Sequence, residues 1–259
     1  MTTKKKCVLL AWELGSGLGH LMKIMAIGSR LASLGCRVIY VVPDVPGASA
    51  LLAAPDATIL QAPLCPQRLV KVIPVVNYAE ILLRAGYDDV SILSELVKQW
   101  RSILVRAAPD LMIADHAPTA LLAARTMEIP RVLLGSGFLS PPVQSPFPSL
   151  QAWREISRDE LMIMDQTALT TVNRVLEGLG LSQWQRLCEL FAGIEDNFLA
   201  TFAELDHYLR RNQDNYWGLL VDKYSGESPV WPQGSEKYVF AYLKSSAGQA
   251  VLEFLKRPV

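Results

Sequence analysis

Apolar residues in this chain come in short unbroken runs, separated by stretches in which they recur every three to four positions. Cys7 to Trp12 is the first run, and it fits a strand buried on both faces. Glycines follow it at once. From Leu21 to Leu34 the apolar positions Leu21, Ile24, Met25, Ile27, Leu31, Ala32 and Leu34, with Gly28, repeat at helical spacing, and Gly35 suits the C-terminal cap. Arg37 to Val42 is a second buried run. Strand, loop, helix and strand in this order form the unit from which parallel sheets are built.

The alternation continues. Strands are predicted at Thr58 to Gln61, Leu111 to Ala114 and Arg131 to Leu134, and helices at Asn77 to Gly86, Asp89 to Ala107 and Thr119 to Met127. Pro66 and Pro74 make Leu64 to Pro74 a loop, and Gly137 with four prolines makes Ser136 to Ser149 a long irregular one. Arg158 to Leu179 and Gln183 to Phe191 read as helices, Asn197 to Phe202 and Tyr216 to Val221 as short strands. The fold class is therefore α/β, a Rossmann-like parallel sheet with helices on both faces, spanning 1–222. A polar segment with Pro229 and Pro232 is the expected linker, 223–236. Beyond it Tyr238 to Leu243 reads as a strand and Ala247 to Lys256 as a helix. One strand and one helix cannot bury their own apolar faces, so 237–259 is expected to begin an incomplete second domain.

Composition narrows the function. With 51% hydrophobic residues over 259 positions the chain can form a sizeable core. Lys plus Arg and Asp plus Glu number 25 each, so no net field favours nucleic acid or an anionic membrane. No uncharged apolar stretch is long enough to span a bilayer, and no signal peptide is recognisable, which points to a cytoplasmic protein. Cys7, Cys36, Cys65 and Cys188 lack metal-ligand spacing and read as reduced structural thiols.

The chemistry is concentrated in the loop after the first strand, Gly15-Ser16-Gly17-Leu18-Gly19-His20. A dinucleotide fingerprint needs glycine where His20 stands, and a P-loop needs Lys followed by Ser or Thr where Leu21-Met22 stand. What the loop does supply is an imidazole at a helix N-terminus, beyond the carboxyl end of a strand. Such a base works better when a carboxylate holds its other ring nitrogen. Asp115, at the tip of the fourth strand, is the candidate partner, because strand tips of one parallel sheet share an edge. Asp115 also suits an N-cap for the helix after Pro118, and the sequence leaves the two roles open. His116 is expected to point to the opposite face from Asp115. In Glu204-Leu205-Asp206-His207 no second histidine stands at ligand spacing, so a strand-end turn is expected there and no metal site.

Several stretches in order resemble a known family: Gly17-Leu18-Gly19-His20 with Gly35-Cys36-Arg37-Val38, Pro109 to Asp115, Ala123-Ala124-Arg125 to Ile129-Pro130, Gly135-Ser136-Gly137-Phe138, and Ala203-Glu204-Leu205-Asp206. They are similar to the two-domain glycosyltransferases of the GT-B fold, in particular the bacterial macrolide and plant flavonoid glucosyltransferases. The resemblance implies that His20 deprotonates an acceptor hydroxyl and that Asp115 orients the ring. It also implies inverting transfer of a hexose from a nucleotide sugar, UDP-linked as in that family, with no metal ion and no cofactor beyond that co-substrate. Gly17, Gly19, Ser136, Gly137, Phe138 and Phe147 would line the site of a lipophilic, hydroxylated acceptor. Lys23 stands where the family often has proline. The family's donor-binding half is represented only by 237–259, so the chain is expected to be a truncated acceptor half, inactive without a separate donor-domain chain. Its exposed end suggests a homodimer as the other way to cover it. A non-catalytic small-molecule or partner-binding remnant is the alternative.

Overall fold

The computed structural model describes residues 5–52, 57–66, 74–208 and 216–220, with 230, 231, 233, 248, 249, 251 and 253. The chain divides into two compact units, Met1–Asp222 and Lys223–Val259. In the second, the described residues 248, 249, 251 and 253 are helical. The predicted strand at 238–243, most of the helix at 247–256 and most of the linker fall outside the described residues.

The first unit is built on six parallel strands: β1 (Cys7–Trp12), β2 (Arg37–Val42), β3 (Thr58–Gln61), β4 (Leu111–Asp115), β5 (Arg131–Gly135) and β6 (Asp196–Leu199). Their order across the sheet is β3-β2-β1-β4-β5-β6, so the chain reverses its direction of winding between β1 and β4. In open α/β sheets this switch point is where a crevice forms at the strands' carboxyl ends.

Alternation along each strand decides which face its side chains cover. On β1, Cys7, Leu9 and Ala11 join the core shared with helices α3 (Tyr78–Leu82), α4 (Val90–Ala107), α5 (Pro118–Arg125) and α6 (Arg158–Gly178). Val8, Leu10 and Trp12 face the other way, onto α1 (Leu18–Ser33) and α2 (Val45–Leu51). Gly28 lets α1 settle on the sheet, since a Cβ there would lie 2.7 Å from Leu10 and closer still to the Tyr40 hydroxyl. Helix starts carry their own signals: Asp89 accepts from the amides of Ser91 and Ile92, Asn77 from Glu80, and Ser157 from Glu160.

The structure departs from the sequence reading in three places. Helix α2 was not expected; Asp44 caps it through the Gly47 amide, and Pro46 stands in its first turn. Only Leu187–Phe191 of the predicted helix 183–191 is helical, as a short 3-10 turn. Side chains take the backbone groups a longer helix would have used. Asn173 pairs with both the amide and the carbonyl of Trp184, and Arg125 holds the carbonyls of Glu189 and Ala192. Tyr216 forms an isolated parallel bridge to Leu199, while residues 217–220 are not extended into a strand. The segment Ser136–Ser149 is pinned in place: Asn77 bridges Ser149, and Asp165 of α6 accepts from the Phe147 amide.

Candidate active site

The register between β1 and β4 sets Trp12 beside Asp115. Both project from the face that carries α1, which begins one turn after β1 ends. Gly17 caps α1 with φ of +93°, a left-handed conformation that glycine adopts without strain. The first turn therefore brings His20 over the strand tips, and the next residue on the same helical face at i+3 is Lys23.

His20 and Asp115 meet. Nδ1 of the imidazole lies 3.3 Å from Oδ2 of the fully buried carboxylate. The two atoms are close but not aligned, so neither forms a hydrogen bond. The other carboxylate oxygen is committed: Lys23 Nζ donates to Oδ1 at 3.0 Å, from a side chain only 14% exposed. Asp115 does not cap the following helix. That role belongs to Glu13, which accepts from the amides of Thr119 and Ala120 at 2.9 and 3.3 Å. Burial pushes the Glu13 carboxyl up to about 7, against those hydrogen bonds, which favour its charged form.

The imidazole is held between aromatic neighbours. Trp12 stacks on it with ring centroids 5.3 Å apart and planes inclined by 16°. The Trp12 indole is itself fixed by donating to the Leu14 carbonyl at 2.8 Å. On Gly15 (φ +90°) a Cβ would lie 2.7 Å from His20 Nε2, so that glycine is required both by its backbone and by the ring it admits.

His116 corrects the expectation that it would face away. The alternation rule holds only while the chain is extended, and His116 has φ of +51°. Its ring turns back to lie 5.9 Å from His20, and its carbonyl accepts from the Leu14 amide. Neither of its ring nitrogens has a well-aligned hydrogen-bond partner among the described residues. Burial, then the neighbouring His20, lowers its pKa to about 4. His116 is therefore a neutral imidazole near pH 7.

The residues expected to line a ligand site separate into groups. Phe138 does stand near the dyad, edge-on to His116 at 5.9 Å and to His207 at 5.3 Å. Ser136 caps the 3-10 turn Gly137–Leu139 without a side-chain hydrogen bond. Gly137 is buried against His207, whose Nδ1 a Cβ would approach to 3.0 Å. Gly17, the cap of α1, and Gly19, in its first turn, are exposed, and a Cβ at either would meet nothing within 4 Å. Phe147 is misplaced by the sequence reading. It is 0% exposed, packed edge-on against Tyr78 and Phe191, and offers a ligand no surface. Beside His207 runs a groove of about 730 Å³ lined by Pro148, Leu150, Trp153, Leu205 and Tyr208. Among the described residues no cluster of three or more His, Cys, Asp or Glu could hold a metal ion, and no helix is long and apolar enough to cross a membrane.

Sequence reasoning missed Trp12 and Lys23 as neighbours of the dyad and Glu13 as the cap of α5. The signals were present: Trp12 ends β1, Glu13 follows it directly, and Lys23 is one helical turn after His20.

No protein-family model matches the chain, and no curated protein matches its sequence. Solved structures do. The calicheamicin glycosyltransferase CalG4 superposes with a TM-score of 0.55 at 17% identity, over 88% of this chain and 56% of that one. The spinosyn forosaminyltransferase SpnP gives 0.52 at 13%, over 89% and 54%. The kitacinnamycin glycosyltransferase gives 0.51 at 15%, again over 89% and 54%. The fold is that of GT-B glycosyltransferases. The chain spans about half the length of these structures.

Proposed function

We propose that the chain is the acceptor-binding half of a nucleotide-sugar-dependent glycosyltransferase. In this reading His20 is the general base. Its Nε2 takes the proton of an acceptor hydroxyl as that oxygen attacks the anomeric carbon of a UDP-linked hexose. The new C–O bond forms as the bond to the diphosphate breaks, on the opposite face of the sugar, so the configuration inverts. Asp115, which approaches Nδ1 to 3.3 Å, orients the ring and offsets the charge it gains.

The observation that carries this reading is the approach of His20 Nδ1 to the buried Asp115 carboxylate at the carboxyl ends of β1 and β4. It leaves Nε2 as the base nitrogen, next to a glycine that places no side chain in front of it. The fold shared with glycosyltransferases supports the reaction class. The rings of Trp12, His116 and Phe138 around the dyad, and the largely apolar groove beyond His207, suit a lipophilic acceptor better than a charged one.

Donor binding falls to a further half, in the same polypeptide or another. Isothermal titration of this chain with UDP-glucose is expected to give no saturable heat. Tight, saturable binding would overturn the assignment as the acceptor half.

A further inference from the structure

Asp115 faces two basic side chains, and the structure shows which of them holds it. Lys23 makes a direct hydrogen bond to Oδ1 at 3.0 Å, while His20 stands at 3.3 Å from Oδ2 without forming one. The lysine is not a surface residue that happens to reach inward: its side chain is 14% exposed and its partner 0%. A buried carboxylate with a fixed ammonium at one oxygen is largely neutralised, and has less attraction left for a second cation.

We propose that Lys23 is a positioning residue: its ammonium fixes the Asp115 carboxylate and limits how strongly that carboxylate favours the protonated form of His20. The consequence for catalysis rests on the reading of His20 as the acceptor-activating base. Lys23 keeps the ring free to accept a proton, and Asp115 keeps it oriented.

The groups facing His20 come from three elements. Trp12, at the end of β1, carries no charge. Asp115 ends β4, and His116 directly after it is kept neutral by burial, with a pKa of about 4. From α1 comes Lys23. Lys23 is thus the positive charge set against the Asp115 carboxylate, while the carboxyl of Glu13, just after β1, is turned to the amides of Thr119 and Ala120.

The chain has three histidines, so ring resonances of a histidine-labelled sample can be followed individually by NMR as pH is varied. Lys23→Met is expected to make His20 bind its proton about tenfold more tightly, moving its titration to higher pH. Lys23→Arg keeps the charge and is expected to leave that titration where it was. His207, exposed and separated from Lys23, serves as the control and should not move in either variant. If Lys23→Met fails to fold, Lys23→Gln removes the charge while keeping a hydrogen-bond donor, and the same upward displacement is expected. An unmoved His20 titration in a folded, uncharged variant overturns the proposal. Failure of the catalytic reading is a separate result: full transfer activity in a completed enzyme carrying His20→Ala, while the displacement is still seen in the Lys23 variants that keep His20.

Discussion

If the proposed reading holds, His20→Ala in an enzyme completed by a donor-binding half is expected to lower the rate of sugar transfer by about two to four decades, the usual reach of general-base catalysis. The loss falls mainly on kcat, because the proton moves only as the acceptor oxygen attacks. Trp12 and His116 remain to define the surface beside the dyad, so the acceptor's KM changes much less. Asp115→Asn produces a loss in the same direction by a different route. The amide cannot offset the charge that the ring acquires, and it leaves the Lys23 ammonium without its carboxylate. The measurement is a steady-state transfer assay with UDP-glucose and a flavonoid aglycone. An unaltered kcat in His20→Ala would mark the chain as a non-catalytic binding module.

Phe147→Ala costs about 3–5 kcal/mol of folding stability, the range for removing a large aromatic side chain from a core. The ring is fully buried between Tyr78 of α3 and Phe191, with centroids 5.7 and 5.9 Å away. These contacts lie where α3, the segment after β5 and the 3-10 turn Leu187–Phe191 meet. The truncation leaves a cavity that the surrounding backbone cannot close, since the Phe147 amide is tied to Asp165. Urea denaturation of the variant should show a lower midpoint with an unchanged slope. A loss below about 1 kcal/mol would mean the residue is not part of the core.

The scaffold was legible because strands buried on both faces leave unbroken apolar runs, and Cys7 to Trp12 and Arg37 to Val42 are such runs. Helices α4 and α6 were legible from their period and caps. Where the sequence misled, side chains had redirected the backbone. Asn173 and Arg125 claim carbonyls in 183–191 from remote helices, and no local pattern announces this. The same limit applies at the site. His20 and Asp115 could be paired because each follows a strand and their residue types suit one task. Lys23 was noticed only as standing where the resembled family often has proline. Its contact with Asp115 bridges 92 positions and depends on the register of β1 against β4. His116 was sent to the wrong face by a rule for extended chains, which its left-handed backbone does not obey. Phe147 shows the converse error: an aromatic residue in a proline-rich loop was given to a ligand when it belongs to the core.

An acceptor bound against His20 can be detected by titrating a flavonoid aglycone into the histidine-labelled chain and following the three imidazoles by NMR. Saturable displacement of the His20 ring resonances is expected, at the same aglycone concentration that saturates binding measured by titration calorimetry. Saturable binding that leaves the His20 resonances unmoved would contradict it.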